Sequence, residues 1–338
     1  MHFGAQLPLR RDLVLLLCSQ PNNKQQLAER RYSMAYRDAD VATFREIWKK
    51  RQETRGQMTV AEQREAFDRE MSAIPLAAGC MTESLDFDGV PAEKITPANV
   101  ASGKALLYLH GGGHMFGSIK SHRSFVSRLA TAGRVTAFHI DYRLAPEHPY
   151  PAAIEDAVKA YRKILAMGFA ADDLIVGGES AGGNLAAALL LKLREERLPQ
   201  PAGLYLLSPW LDMTTTAESY QKVGARDPMI TKEGIELVSK AYLGGQADNA
   251  LTSPVRADVA GLPPMLIQVG SEEVLLSDSI TFANKAAMAG IEVKLHVAPE
   301  MPHAFPLFHV LLRAGLAAID EAGDWMRQRL GEKLRAAA

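Results

Sequence analysis

The chain has 338 residues, 47% hydrophobic and 23% charged, with a formal net charge of −1. That length and composition allow a large buried core, and the near-neutral balance argues against nucleic acid or another polyanion as partner. Its two cysteines, Cys18 and Cys80, are too few for a disulfide framework and lack metal-ligand spacing, so free thiols in a reducing, cytoplasmic compartment and no metal are expected.

At the start, Arg10-Arg11-Asp12 precedes Leu13-Val14-Leu15-Leu16-Leu17-Cys18. This imitates a signal peptide, but the apolar run falls short of the ~7–15 residues of a secretory core, and Leu17 is too bulky for a processing site. Residues 1–20 therefore read as a short helix or an unordered leader. No stretch approaches the ~18 apolar residues of a membrane span. Through 24–52, Leu27, Tyr32, Met34, Tyr36, Val41, Phe44, Ile47 and Trp48 recur at roughly helical spacing. Thr59 followed by Glu62 is a capping box opening a second helix, which carries Phe67 and Met71 and stops at Pro75. These are either surface helices or part of a lid.

From residue 82 the texture changes. Apolar alternation over 82–87 and 90–95 around Asp88-Gly89 predicts a hairpin. A buried strand over 105–109 runs into His110-Gly111-Gly112-Gly113-His114. Further strands are predicted at 135–140, 174–176, 204–207, 265–269 and 293–297, and helices at 121–132, 152–165, 184–196, 277–289 and 307–330. Residues 211–250 carry helix and loop signals with little β character. Alternating strands and helices predict the α/β class: a mostly parallel sheet covered on both faces, with the hairpin as an antiparallel edge.

Between the strand at 174–176 and the helix that follows lies Gly178-Glu179-Ser180-Ala181-Gly182. A strand–turn–helix with serine at its tip is the context of a nucleophile elbow: the sharp turn exposes the hydroxyl, and glycines on either side avoid clashes where strand and helix cross. The same pentapeptide also suits an ordinary glycine-rich turn, so the reading depends on a base, an acid and an oxyanion hole elsewhere. His303, in Pro302-His303-Ala304 after the last strand, has the position of a base. His296 within the strand and His309 beyond the loop read as structural. The acid that would orient the imidazole should follow the preceding strand, where Glu272, Glu273 and Asp278 are all available. Glycines 111–113 after the strand at 105–109 offer backbone N–H groups free of side chains, and the N–H of Ala181 would be a further donor. A phosphate cradle is disfavoured because no Lys-Ser/Thr ending follows the glycines.

His110-Gly111-Gly112-Gly113, the run Asp141-Tyr142-Arg143-Leu144-Ala145-Pro146-Glu147-His148-Pro149-Tyr150-Pro151 and Gly178-Glu179-Ser180-Ala181-Gly182-Gly183 together resemble the hormone-sensitive lipase family of bacterial esterases, a branch of the α/β-hydrolases. The resemblance runs from about residue 80 to the C-terminus. It implies hydrolysis of carboxylic esters of short to medium acyl chain, without cofactor or metal. It implies Ser180 as nucleophile, His303 as base, and Gly112, Gly113 and Ala181 as oxyanion donors, with Gly111 shaping the turn. The family's acid pattern, Asp-Pro-Leu/Met followed by one or two acids, is matched by Glu273-Val274-Leu275-Leu276-Ser277-Asp278 with glutamate in the aspartate's place. Glu273 is therefore the implied triad acid, and Asp278 a capping or supporting one. Glu179 stands where aspartate is commoner. Asp141 and Arg143 suggest buried polar pairing beneath the site.

The implied organisation is a leader over 1–20, a helical cap from 21–75 and 211–250, and an α/β-hydrolase domain from 76–210 and 251–338. Met115, Phe116, Trp210 and Phe305, with Leu211 and Met213, are acyl-pocket candidates that could equally be core. A homodimer through the edge at 265–269 or 293–297 is a further expectation. The alternatives are the same machinery acting on an amide, lactone or carbamate, or a non-catalytic small-ligand receptor. Such receptors typically lose the base, and here His303 is present.

Overall fold

A computed structural model describes residues 39–56 and 58–331; the leader over 1–20, Cys18 and the start of the helix expected from 24 lie outside them. The helical signal that falls within them gives α1 (Ala39–Arg55) and α2 (Val60–Met71). Thr59 caps α2 reciprocally: its hydroxyl accepts the Glu62 N–H, and the Glu62 carboxylate accepts the Thr59 N–H. Phe44 and Trp48 of α1 pack on Phe308, with ring centroids 5.0 and 5.4 Å away.

The α/β region then runs β1 (Met81–Asp86), β2 (Pro91–Thr96), β3 (Ala105–Leu109), α3 (Ile119–Gly133), β4 (Thr136–Ile140), α4 (Ala152–Ala166), β5 (Leu174–Glu179), α5 (Ala181–Glu195), β6 (Gly203–Leu207), the short α6 (Glu218–Lys222), α7 (Lys232–Leu243), β7 (Met265–Gly270), α8 (Leu276–Met288), β8 (Val293–Ala298) and α9 (Arg313–Arg329). The strands form one eight-stranded sheet in the order β1-β2-β4-β3-β5-β6-β7-β8. The β1–β2 and β2–β4 pairs are antiparallel and the rest parallel. Among the described residues no helix is long and apolar enough to cross a membrane.

Two apolar clusters explain why the central strands read as continuous hydrophobic runs. Leu107 and Leu109 of β3, Val176 of β5 and Leu204 and Leu206 of β6 face α4, α5 and α8. Their neighbours Leu106, Tyr108, Ile175, Tyr205 and Leu207 face α3 and α9, where Phe44, Trp48 and Met71 also pack. Period-two alternation divides the residues between two buried faces, so both sets are apolar.

Several boundaries differ from expectation, each for a local reason. The last helix begins at Arg313, because Phe305–Phe308 forms a separate 3₁₀ turn containing Pro306. His309 thus lies after that turn rather than on a helix. The elbow helix α5 starts directly after Ser180 and includes Gly182 and Gly183, which as glycines had argued for a loop. Helix α8 begins one residue before the expected 277, with Leu275 in the N-cap position, and the Ser277 hydroxyl accepts the Ser219 N–H at 3.0 Å. Only β8 is an edge on this side of the sheet, since β7 lies between β6 and β8.

Candidate active site

The carboxyl ends of the central strands gather the predicted residues. Ser180 ends β5 with φ 55 and ψ −121, a left-handed conformation that a serine adopts only when its surroundings hold it there. They do so through backbone bonds: its N–H donates to the Leu207 carbonyl at 2.9 Å, and its own carbonyl accepts from Trp210 at 3.0 Å and Asn184 at 3.1 Å. The crossing of β5 and α5 beside β3 leaves no room for a side chain at Gly182, where a Cβ would stand 2.0 Å from the Leu109 carbonyl oxygen. Ser180 is partly accessible and sits at the positive end of α5, whose first residue is Ala181.

Glu273 follows β7 and is fully buried, and His303 follows β8 and is 5% exposed. His303 Nδ1 donates to Glu273 Oε2 at 2.6 Å. The second carboxylate oxygen, Oε1, accepts the Gly270 N–H at 2.6 Å and the Ser208 hydroxyl at 2.7 Å. Ser208, at the end of β6 with φ 45, also accepts the Ala304 N–H at 3.0 Å. One hydroxyl thus joins the acid, the histidine loop and the strand next to the elbow. Burial pulls the His303 imidazole down, but the charge and hydrogen bond of Glu273, aided by Asp227 and Glu179, prevail and raise its pKa above the ordinary histidine value.

The glycine loop after β3 lies on the other flank of Ser180. Gly112 and Gly113 take φ of 107 and 65, which only glycine adopts readily. The Gly111 N–H is turned inward onto Glu179 Oε1. Glu179 also accepts the Tyr108 hydroxyl at 2.5 Å and pairs with His122 Nε2 at 2.7 Å. The glutamate at this elbow therefore anchors the loop at Gly111. Burial lowers His122, but the Glu179 charge outweighs it and raises the imidazole, so the pair favours an ion pair beneath the site. His110 is buried, stacks on Tyr142 with centroids 4.3 Å apart, and places Nδ1 2.9 Å from the Gly111 carbonyl oxygen. Burial holds it well below the ordinary histidine value, so it is a neutral packing element.

Helices from before and after the central strands overlie this loop. Arg64 of α2 donates to the carbonyls of Met115 at 2.7 Å and Ala145 at 2.8 Å. Tyr242 of α7 stacks on His114 at 3.7 Å, and Val238 stands where a Cβ on Gly113 would fall, 2.6 Å away.

The remaining predicted residues divide. Met115 and Phe116 are partly exposed beside the glycine loop. Trp210 is buried among Ala181, Met213, Tyr220 and Tyr242, and Leu211 and Phe305 are buried in the two main clusters, all in packing positions. Glu272 points outward to Arg45. Asp278 Oδ2 accepts the N–H groups of Leu211 at 2.7 Å and Asp212 at 3.0 Å, away from His303. Asp141 and Arg143 do pair, but with other partners: Asp141 accepts the Ile119 N–H and Arg143 grips Asp156. His296 binds Glu321 at the β8 edge. Among the described residues no cluster of three or more His, Cys, Asp or Glu could hold a metal ion. Sequence reasoning gave Ser208 no role; its signal was a hydroxyl at the carboxyl end of the strand neighbouring the elbow.

Residues 106–307 match a family model described as an α/β-hydrolase fold. An acetyl-hydrolase from Streptomyces hygroscopicus is 38% identical over 277 residues, 82% of this chain and 92% of that one. An esterase from Acinetobacter venetianus is 36% identical over 70% of this chain and 78% of its own length. The crystal structure of an esterase from the bacterial hormone-sensitive lipase family superposes with a TM-score of 0.84 at 38% identity, covering 87% of this chain and 99% of that one.

Proposed function

The chain belongs to the α/β-hydrolase fold family, in its hormone-sensitive lipase branch, and from that premise we propose that it is a carboxylic ester hydrolase working through Ser180, His303 and Glu273. The observation that carries the assignment of residues is the 2.6 Å bond from His303 Nδ1 to the buried Glu273 carboxylate, at the same carboxyl end of the sheet as Ser180 with its positive φ. That bond fixes the tautomer, leaving Nε2 unprotonated as the base.

Ser180 Oγ attacks the ester carbonyl carbon while His303 Nε2 takes its proton. The carbonyl π electrons move to oxygen, and the N–H groups of Gly112, Gly113 and Ala181 receive the oxyanion. Each such donor contributes about 2.7–4 kcal/mol to lowering the barrier. The intermediate collapses as His303 returns the proton to the departing alcohol oxygen. An acyl group remains on Ser180, and water, deprotonated by His303, removes it by the same route. Glu273 keeps its charge throughout and stabilises the imidazolium.

The acyl group is short to medium. The name acetyl-hydrolase of a 38% identical relative supports this, as does the position of Met115 and Phe116 next to the glycine loop. Residues 21–75 and 211–250 act as a cap, supported in the described part by the contacts of Arg64, Val238 and Tyr242 with that loop. Leu295 and Val297, each 37% exposed on the edge strand β8, support pairing of two copies there. The free Cys80 thiol suits a cytoplasmic setting.

The test is direct. Wild-type protein should hydrolyse p-nitrophenyl acetate and be labelled by a fluorophosphonate, and Ser180→Ala should do neither while keeping its circular dichroism spectrum. A Ser180→Ala protein that turns over the ester at the wild-type rate would exclude the assignment. A rate series from acetate to dodecanoate esters should peak among the shorter chains.

A further inference from the structure

The segment between α6 and α7 holds a buried carboxylate that the steps above do not use. Asp227 is 9% exposed. Its Oδ1 accepts the N–H groups of Met229 at 2.8 Å and Ile230 at 3.0 Å, closing a turn within its own segment. Its Oδ2 accepts the N–H of Val274 at 2.9 Å, and Val274 directly follows Glu273. Burial raises the Asp227 carboxyl above its ordinary value, while the His303 charge and the N–H donors on both oxygens favour the ionised, accepting form. The segment is pinned from outside by α1. Arg45 Nη1 donates to the Arg226 carbonyl at 2.8 Å while Nη2 pairs with Glu272, and Gln52 donates to the Pro228 carbonyl at 2.8 Å. The residues on either side of Glu273 are thus both tied, Glu272 to α1 and Val274 to Asp227.

We propose that Asp227 is a positioning residue for the acid–base pair: through Val274 it fixes the loop that carries Glu273, and its carboxylate acts electrostatically on the His303 imidazole. The inference rests on the reading of Ser180, Glu273 and His303 as the triad. It links the segment 224–230, and α1 through Arg45, to the geometry of proton transfer. The titratable groups that feel Asp227 are His303 and, from α6, Tyr220. The imidazole is faced in addition by Glu273 and Glu179. Asp227 favours the imidazolium, so its removal moves the protonation of His303 to lower pH.

Asp227→Asn separates these effects from simple folding. The amide oxygen can still serve Met229 and Ile230, but its NH₂ then meets the Val274 N–H, donor against donor, and the charge is gone. With p-nitrophenyl acetate, kcat should fall about tenfold with KM within about twofold. The acid limb of the kcat/KM profile should shift to lower pH, and Asp227→Glu, which keeps the charge, should leave that limb in place. A purely structural role would lower the melting temperature alone; kcat and acid limb both unchanged in Asp227→Asn would overturn the proposal. If that variant does not fold, Arg45→Met probes the same segment from the surface: a kcat loss of about two- to fivefold at constant KM supports the proposal, and an unchanged kcat overturns it. Ser180→Ala is assayed alongside. An active Ser180→Ala overturns the triad and this inference together, whereas an inactive one with an unaltered Asp227→Asn overturns the inference alone.

Discussion

Glu273 shows how a glutamate fits where a shorter acid would be expected. The chain turns after β7 so that the Gly270 N–H reaches Glu273 Oε1 at 2.6 Å, a bond that holds the longer side chain in place. Both carboxylate oxygens are then engaged, Oε1 by Gly270 and Ser208 and Oε2 by His303. Glu273→Gln keeps the shape but loses the charge and puts a donor among donors. By the precedent of serine protease triads, kcat should fall on the order of 10⁴. The pH profile gives a second readout. His303 must be neutral to act as base, its pKa is raised above the ordinary value, and activity is lost as pH falls through that raised value. Without the Glu273 charge the imidazolium is less favoured, so the residual activity should hold to lower pH. Ser208→Ala tests the hydroxyl that joins acid and histidine loop. It leaves the buried Ala304 N–H without its acceptor, and should destabilise the fold by about 1–3 kcal/mol while lowering kcat with little change in KM. Chemical denaturation and steady-state kinetics on the same sample check both.

The oxyanion loop is placed by elements on both sides. Below it, Glu179 at the end of β5 holds Gly111; above it, α7 brings Val238 against Gly113. Gly113→Ala meets two obstacles, a φ of 65 and a Cβ 2.6 Å from Val238 Cγ1. It should lower kcat/KM by displacing the loop from Ser180, and Val238→Ala in the same chain should recover only part of the loss, because the backbone strain remains. Full recovery in the double variant would assign the whole effect to the α7 contact. The alternation of strands and helices was legible from sequence because each central strand is a short apolar run bounded by turn residues. The elbow and glycine loop were legible because their chemistry is local: glycines where backbones touch, a serine at the tip. The bonds that orient them were not. Ser208 reaches Glu273 across 65 residues and Asp227 reaches Val274 across 47, and nothing near either residue in the chain marks its partner. The misplaced start of the last helix has the same origin. Phe305–Phe308 has the apolar texture of a helix, yet its side chains are fixed by burial against α1 and the sheet rather than by helical spacing.

Across the molecule, buried titratable groups make stability depend on pH, in a direction set by the sign of each shift. Asp278 is the clearest contributor. Burial above all, with Asp212 and Glu273 nearby, pushes its carboxyl up to about 8, although Leu211 and Asp212 donate N–H groups to Oδ2; Oδ1 has no hydrogen-bond partner. Unfolded, the same carboxyl titrates near 3.9. Between these values the folded chain keeps a proton that the unfolded chain has released, so stability falls as pH rises through that window. His303 and His122, both raised, act in the same direction: their contributions are present below the unfolded value near 6.5 and are lost as pH rises through the folded ones. On the acid side the sign reverses. Burial depresses His110, and takes His114 down to about 3, so their contributions are lost as pH falls. Asp278→Asn isolates the alkaline branch, because its amide oxygen can still accept from Leu211 and Asp212 but cannot ionise. Above pH ~6.5, where the depressed histidines are neutral in both states, wild-type protein should lose melting temperature up to pH ~8, and Asp278→Asn should lose less across the same span. Equal losses would mean that Asp278 ionises freely in the fold and that the two histidines carry the whole dependence.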